Sequence, residues 1–227
     1  MRSGLVLALD AAAGPGSIAV LRDGVTIAER TVEMRSAAEE RYFPAVLETL
    51  AAAGVRVRDL AAVVAGAGPG SFTALRVVGA VAKGLCEGAG CPLLGVPSLA
   101  LIVAAHESTR RAAQWIATLD ALRGDRYAAL LATDADGDVT ALRPLGLVPA
   151  ATLPARAAEL GATLIGPDEA LTALPLARGL DRCGPLLAGA GPADLASWEP
   201  VYGRLAEAQV KWEAAHGHPL VSGRSLA

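Results

Sequence analysis

The sequence has few aromatic residues, few histidines and no excess of positive charge. Phe, Trp and Tyr together make up 4% of the 227 residues, there are three histidines, and the formal net charge at pH 7 is −3. A protein that holds nucleic acid by itself normally carries a basic face, which this composition does not supply. The hydrophobic share of 53% is ample for a core, and aliphatic residues and alanine must fill it.

Cysteine is also scarce, and its pattern is not that of a disulfide framework. Cys86, Cys91 and Cys183 form no Cys-x-x-Cys pair, and their number is odd. This usage is typical of reduced thiols, so we expect a cytoplasmic protein. Zinc on Cys86, Cys91 and His106 is conceivable, but the spacing fits no usual zinc motif and a fourth ligand is lacking. We therefore predict no metal site.

No stretch of the sequence is typical of a membrane span. The longest uncharged run covers residues 88–105 and contains Pro92 and Pro97, a pattern that indicates a turn, a short strand and the start of a helix. The apolar run after Arg2 ends at Asp10, which is too early for a secretory signal. We expect no membrane association.

The segment Gly66–Ser71 is rich in glycine and separates a buried strand from a long apolar helix. At such a junction, backbone N–H groups and the positive end of a helix dipole can receive an anion. The segment matches neither a Walker A loop nor a dinucleotide fingerprint. Two interpretations stay open. Gly68, Gly70 and Ser71 could contact an anion, with Ser71 as helix N-cap, or the loop could be a tight turn that needs glycine and binds nothing.

The spacing of apolar residues and turns predicts an α/β protein with two lobes. We expect a first lobe over residues 1–110, an abbreviated second lobe over 111–203, a final helix over 204–215 that joins the first lobe, and a mobile tail over 216–227. Predicted strands are Leu5–Asp10, Ser17–Arg22, Val25–Val32, Ala61–Ala67, Leu93–Val96, Gln114–Asp120, Arg126–Thr133 and Arg143–Val148. Predicted helices are Glu39–Ala53, Phe72–Glu87, Leu99–His106 and Leu205–Ala215, with short helical pieces after Val148.

Several motifs along nearly the whole chain resemble one family, the TsaB (YeaZ) proteins, which bacteria need to make threonylcarbamoyladenosine in tRNA. The motifs are Leu7–Asp10, Gly68–Arg76, Ala82–Leu85, Pro92–Leu99, the hairpin Leu119–Ala128 and Glu199–Tyr202. The resemblance implies a degenerate actin/hexokinase/Hsp70-like (ASKHA) fold with two lobes, each a mixed sheet with flanking helices.

The resemblance also implies a function and partner proteins. We expect a non-catalytic subunit that binds a TsaD-type transferase subunit and a TsaE-type nucleotidase, and the sequence leaves open whether the isolated chain forms a homodimer. The complex transfers a threonylcarbamoyl group to the adenosine beside the anticodon of ANN-decoding tRNAs, so the chain meets tRNA only through the complex. No cofactor is required, and weak ATP or ADP binding is expected mainly at the interface with partners.

The sequence lacks several residues that catalysis in related proteins requires. In the superfold, the position of Asp10 often holds a metal–nucleotide carboxylate, but here Ala11–Ala13 follow it where relatives carry hydroxyl residues. The transferase relative holds its metal with a His-x-x-x-His pair, and the matching segment Pro97–Val103 has no histidine. These departures disfavour two rivals, an ATP-dependent phosphotransferase that uses Asp10 and the glycine loop, and a metallopeptidase.

The apolar helices give the strongest positive signal for function. The helix Phe72–Glu87 is apolar nearly all round, so more than one of its sides must be buried. In the family, this helix and Glu39–Ala53 bundle with a partner or a second copy. We predict that the interface contains Val46, Leu50, Val78, Val81 and Leu85. Burial of this stripe within the chain's own core is the alternative.

Overall fold

The computed structural model describes residues 4–34 and 41–203. Its first sheet has the strand order β3-β2-β1-β4-β5. β1 pairs antiparallel with β2 and parallel with β4, with Val6 opposite Leu21 and Ala62. The strands are β1 Leu5–Asp10, β2 Pro15–Arg22, β3 Val25–Glu33, β4 Ala62–Gly66 and β5 Leu93–Val96.

The second sheet repeats this arrangement, with the order β8-β7-β6-β9-β10. β6 pairs antiparallel with β7 and parallel with β9, with Trp115 opposite Leu131 and Thr163. The repeat confirms the expected two-lobed actin-like fold class. The strands are β6 Ala113–Asp120, β7 Asp125–Thr133, β8 Val139–Pro149, β9 Thr163–Gly166 and β10 Leu171–Thr172.

Helices cover the first sheet on both faces. α1 and α2 pack on the outer face, and α3 lies between the two sheets with all seven of its residues buried. The helices are α1 Tyr42–Ala52, α2 Phe72–Ala89, α3 Ser98–Ala104, α4 Leu153–Glu159 and α5 Gly184–Leu187. Short 3₁₀ helices lie at Val57–Asp59, Glu107–Thr109, Ala150–Thr152 and Ala177–Arg182. No helix in the described ranges is long and apolar enough to cross a bilayer.

The predicted elements of the first lobe are present, and the second lobe differs more from expectation. The predicted helix over Glu39–Ala53 begins at Tyr42 within the described residues, and its first residues lie outside them. β8 is longer than the predicted strand Arg143–Val148. The short strands β9 and β10 stand where only helical pieces were expected. Parallel pairing of β9 with β6, and of β10 with β9, stabilises segments too short to show a pattern.

After α5, the chain returns to the first lobe. The Ala193 N–H donates to the Leu93 carbonyl at the edge of the first sheet, and the Val201 N–H donates to the Ala67 carbonyl, both over 2.8 Å. Trp198 lies against Gly79 of α2 and against Gly95. Residues 193–202, named here the return segment, therefore pack on the first lobe although they follow the second. The predicted helix Leu205–Ala215 and the tail lie outside the described residues.

Candidate functional site

Asp10 stands at the carboxyl end of β1 with its carboxylate fully buried. Oδ1 accepts a hydrogen bond from the Ala12 N–H at 2.8 Å, and Oδ2 accepts one from the Ser98 hydroxyl at 2.5 Å. Burial raises the pKa of Asp10 from 3.8 to about 6, although both hydrogen bonds act in the opposite direction. Both carboxylate oxygens thus have partners within the protein.

The glycine loop closes over this carboxylate. The Gly68 N–H donates to Ser98 Oγ at 3.2 Å, and the Ser98 N–H donates to the Gly68 carbonyl at 3.0 Å. The Ser71 N–H donates to the Ala12 carbonyl at 2.9 Å. Two of the loop amides that could have faced an anion are therefore bonded to the protein.

Glycine is needed at two places in this loop. Gly68 has a φ of +82°, which side chains with a Cβ rarely adopt. A Cβ at Gly70 would lie 2.5 Å from the Ala12 carbonyl oxygen, which is closer than van der Waals contact allows. The loop therefore packs directly on the turn that follows Asp10, as the tight-turn interpretation requires.

The structure brings the four predicted nucleotide contacts together. Gly68 is bonded to the serine that holds Asp10, and Gly70 and Ser71 pack on Ala12. Nucleotide contact by these residues stays a prediction. Ser71 is the N-cap residue of α2, but its side chain makes no capping hydrogen bond, so that part of the expectation is wrong.

Sequence reasoning missed the role of Ser98. Ser98 is the first residue of α3, and its hydroxyl reaches Asp10 instead of the helix amides. The available signal was its position just after β5. Because the carboxyl ends of parallel strands meet at one edge of a sheet, a residue after β5 can lie near the end of β1.

The return segment covers the other side of the glycine loop. The rings of Phe72 and Tyr202 lie 4.6 Å apart, and the Arg76 guanidinium lies 5.0 Å from the centre of the Phe72 ring. The Val201 carbonyl sits against Gly68. The loop is thus enclosed between the turn after Asp10 and the motif Glu199–Tyr202.

The predicted partner stripe lies mainly in the chain's own core. Val46, Leu50, Val78 and Leu85 are at most 5% exposed and pack on the first sheet, so assigning these four to an interface was wrong. Val81 is only partly buried. Helical periodicity identified an apolar side of α2 correctly, but the sheet occupies that side.

A different apolar surface remains on these helices. Phe43 and Leu47, one turn apart on α1, are 41% and 42% exposed. On α2, Ala80 is exposed, and Val77 and Val81 are partly exposed. These five residues are named here the α1–α2 outer face. It is the part of the two helices that another protein could cover.

The remaining polar candidates have local partners. His106 Nδ1 accepts a hydrogen bond from the Ser108 N–H at 3.2 Å, so it caps the start of a 3₁₀ helix. Asp120 and Arg126 form an ion pair at 2.8 Å beside the β6–β7 turn. In residues 4–34 and 41–203, no group of three or more His, Cys, Asp or Glu side chains could hold a metal.

Comparison with known proteins supports the family resemblance that the sequence motifs indicate. The sequence model described as "TsaD: tRNA N6-adenosine threonylcarbamoyltransferase" matches residues 33–136. The tRNA threonylcarbamoyladenosine biosynthesis protein TsaB of Escherichia coli is 33% identical over 132 residues, which cover 58% of this chain and 57% of that protein. An uncharacterised protein of Mycobacterium bovis is 37% identical, over 58% of this chain and 67% of its own length. The match to the E. coli protein thus spans little more than half of that relative.

The fold is similar to a solved structure over most of its length. A Pseudomonas aeruginosa protein, described as similar to the peptidase YeaZ, superposes with a TM-score of 0.72 at 26% identity. The superposition covers 89% of this chain and 100% of that one.

Proposed function

We propose, from the premise that this chain belongs to the TsaB/YeaZ family, that it is a non-catalytic subunit in the synthesis of threonylcarbamoyladenosine in tRNA. Its partners in this proposal are a TsaD-type transferase and a TsaE-type nucleotidase, and it meets tRNA only within their complex. The observation that carries the proposal is the apolar α1–α2 outer face, on a lobe whose catalytic positions hold alanine and no histidine.

The residues at the catalytic positions support a subunit without chemistry of its own. Ala11, Ala12 and Ala13 have no side-chain oxygen for a phosphate or a metal-bound water. The Asp10 carboxylate is buried and bonded to Ser98 and Ala12. The segment Pro97–Val103 lies within the stretch that resembles the transferase but contains no histidine. These features also disfavour the rival activity, an ATP-dependent phosphotransferase.

The α1–α2 outer face suits a partner with a similar lobe. This chain resembles the transferase family over residues 33–136, a range that includes α1 and α2. A transferase subunit with equivalent helices could pack against them about a pseudo-two-fold axis, and a second copy of this chain could do the same. Ala80 would allow close approach of the helix backbones.

The proposal predicts that charge on the α1–α2 outer face abolishes partner binding. Leu47→Glu and Ala80→Glu leave an unpaired charge in the interface, which should cost several kcal/mol of association with the purified transferase subunit. The melting temperature should hardly change, because both positions are exposed. Isothermal calorimetry and a thermal melt measure the two effects.

Val25→Glu is the matched control, since Val25 is 66% exposed on β3 of the same lobe. It should bind the transferase subunit normally. Unchanged affinity of both helix variants would contradict the proposed interface. Failure of the unaltered chain to bind the transferase subunit at all would contradict the proposed function.

A further inference from the structure

The outer face of the second sheet is only partly covered. α4 has seven residues, and its Leu153 and Ala157 pack on Ile116 of β6, Ala128 of β7 and Val148 of β8. Leu130 and Leu145, which lie farther along β7 and β8, are only partly buried. Arg143 is exposed and lies opposite Leu130 in the strand pairing.

The first lobe shows what normally covers this position. The two sheets share one strand order, so β2 and β3 correspond to β7 and β8. α1, with eleven residues, packs over β2 and β3. Within the described residues, α3 and α5 contact β8 from the inner side. On the outer side, α4 lies between β8 and β9 in the chain as α1 lies between β3 and β4, but it has seven residues against eleven. The helical cover over β7 and β8 is therefore shorter than the cover that α1 gives to β2 and β3.

The side chains on this surface indicate which kind of helix could bind there. A groove of about 510 Å³ beside α4 is lined by Arg143, Thr152, Ala155, Arg156, Glu159 and Leu160. Neither Arg143 nor Arg156 takes part in an ion pair among the described residues. Two guanidinium groups against one carboxylate favour acidic side chains. The leucines beside them favour a protein over a phosphate backbone.

We propose that one surface, named here the β7–β8 outer face, docks an amphipathic acidic helix of a protein partner. It consists of Leu130, Arg143 and Leu145 on the strands, with Arg156 and Leu160 at the adjoining α4. The apolar side of that helix packs on the leucines, and its carboxylates pair with Arg143 and Arg156. The partner helix thus extends in trans the cover that the short α4 begins. This surface lies on the opposite lobe from the α1–α2 outer face, so both can be occupied together.

The first test uses the full-length chain and two synthetic helical peptides of about 18 residues, long enough to form helix in isolation. They share one apolar stripe and differ only in carrying glutamate or lysine beside it. Fluorescence anisotropy should show that the acidic peptide binds at least about tenfold more tightly. This preference would oppose the chain's own net charge of −3, so it reports a local surface.

Charge reversal locates the site. The double variant Arg143→Glu/Arg156→Glu should lose the preference for the acidic peptide while keeping its melting temperature. The control Arg22→Glu/Arg58→Glu makes the same net charge change at exposed positions of the first lobe and should bind as the unaltered chain does. No binding, equal affinity for the two peptides, equal loss in the control, or tighter binding of an RNA oligonucleotide overturns the proposal. None of these outcomes depends on the transferase subunit.

The second test asks whether the face is open in the free protein. Cys86, Cys91 and Cys183 are buried, and burial raises the pKa of Cys86 and of Cys183 to about 12, so they react slowly. Ala141 is exposed on β8 next to Leu142, which packs on the inner side. The thiol introduced by Ala141→Cys should react with a maleimide as fast as a free cysteine and be slowed by the acidic peptide. Slow reaction of the free chain would mean that its own residues or a second copy cover the face, which overturns the proposal.

Discussion

Asp10 is a carboxylate that the first lobe holds in a position unfavourable to its charge. It is fully buried, and its pKa is raised to about 6 by burial, with the Ser98 and Ala12 hydrogen bonds opposing the shift. The unfolded chain gives up this proton near pH 3.8, so between these values the native state binds one proton more. Stability contributed by this residue is therefore greatest at low pH and falls as pH rises through about 6.

Asp10→Asn should remove that pH dependence. The shift corresponds to about 3 kcal/mol, so the free energy of unfolding of the unaltered chain should fall by about that amount, relative to the variant, between pH 3.5 and 7. Urea unfolding at several pH values measures it. Asp120→Asn is the control, because Asp120 ends the equivalent strand β6 but is exposed and pairs with Arg126. Parallel curves for the unaltered chain and Asp10→Asn would contradict the burial argument.

At the scale of elements, the glycine loop and α2 act as one packed unit. The loop joins the end of β4 to α2 while lying between the turn after Asp10 and the return segment. α2 in turn places Val78, Ala82 and Leu85 against the first sheet. The position of α2 therefore depends on a loop in which Gly70 lies too close to Ala12 to carry a side chain.

Gly70→Val should destabilise the first lobe by roughly 1–3 kcal/mol, because a Cβ at this position collides with Ala12. The expected result is a lower midpoint of thermal unfolding. Gly84→Ala is the contrast within α2. A Cβ at Gly84 meets nothing, and alanine favours helix, so the midpoint should stay or rise. A melt of Gly70→Val that matches the unaltered protein would show that the loop yields at no cost.

At the scale of the whole molecule, one buried arginine connects segments from both lobes. Arg182 is 3% exposed and donates to the carbonyls of Ala104 at 2.8 Å and Thr109 at 3.0 Å. Ala104 ends α3, and Thr109 ends the 3₁₀ helix that comes next in the chain. Its Nε also donates to the Gly137 carbonyl in the β7–β8 turn at 2.8 Å. The lobes are thus joined by charged hydrogen bonds to backbone oxygens.

Arg182→Met should cost more than about 3 kcal/mol of unfolding free energy, since it leaves several buried carbonyl groups without a donor. Arg178→Met is the matched control in the same 3₁₀ helix. Its ion pair with Glu29 is about half exposed on both sides, so less than about 1 kcal/mol should be lost. Chemical denaturation of both variants gives the comparison, and equal losses would contradict the special role of Arg182.

The sequence alone determined the strands and turns of the first lobe, the β6–β7 hairpin and the family. These features depend on local patterns, such as alternation of apolar residues, glycine at turns and helical spacing. The tight-turn interpretation of Gly68 and Gly70 was also accessible, because glycine at such positions has few physical explanations. Local patterns failed for β9 and β10, which are too short to show one.

Only the tertiary structure decided which side of each element faces what. The spacing of Val78 and Leu85 is the same whether that side meets a sheet or a partner, so only the packing could assign them to the core. Ser98 and Asp10 meet across 88 positions of sequence, and the return segment crosses back to the first lobe. Such contacts arise where strands that are distant in the chain end at one edge of a sheet, and no local pattern encodes them.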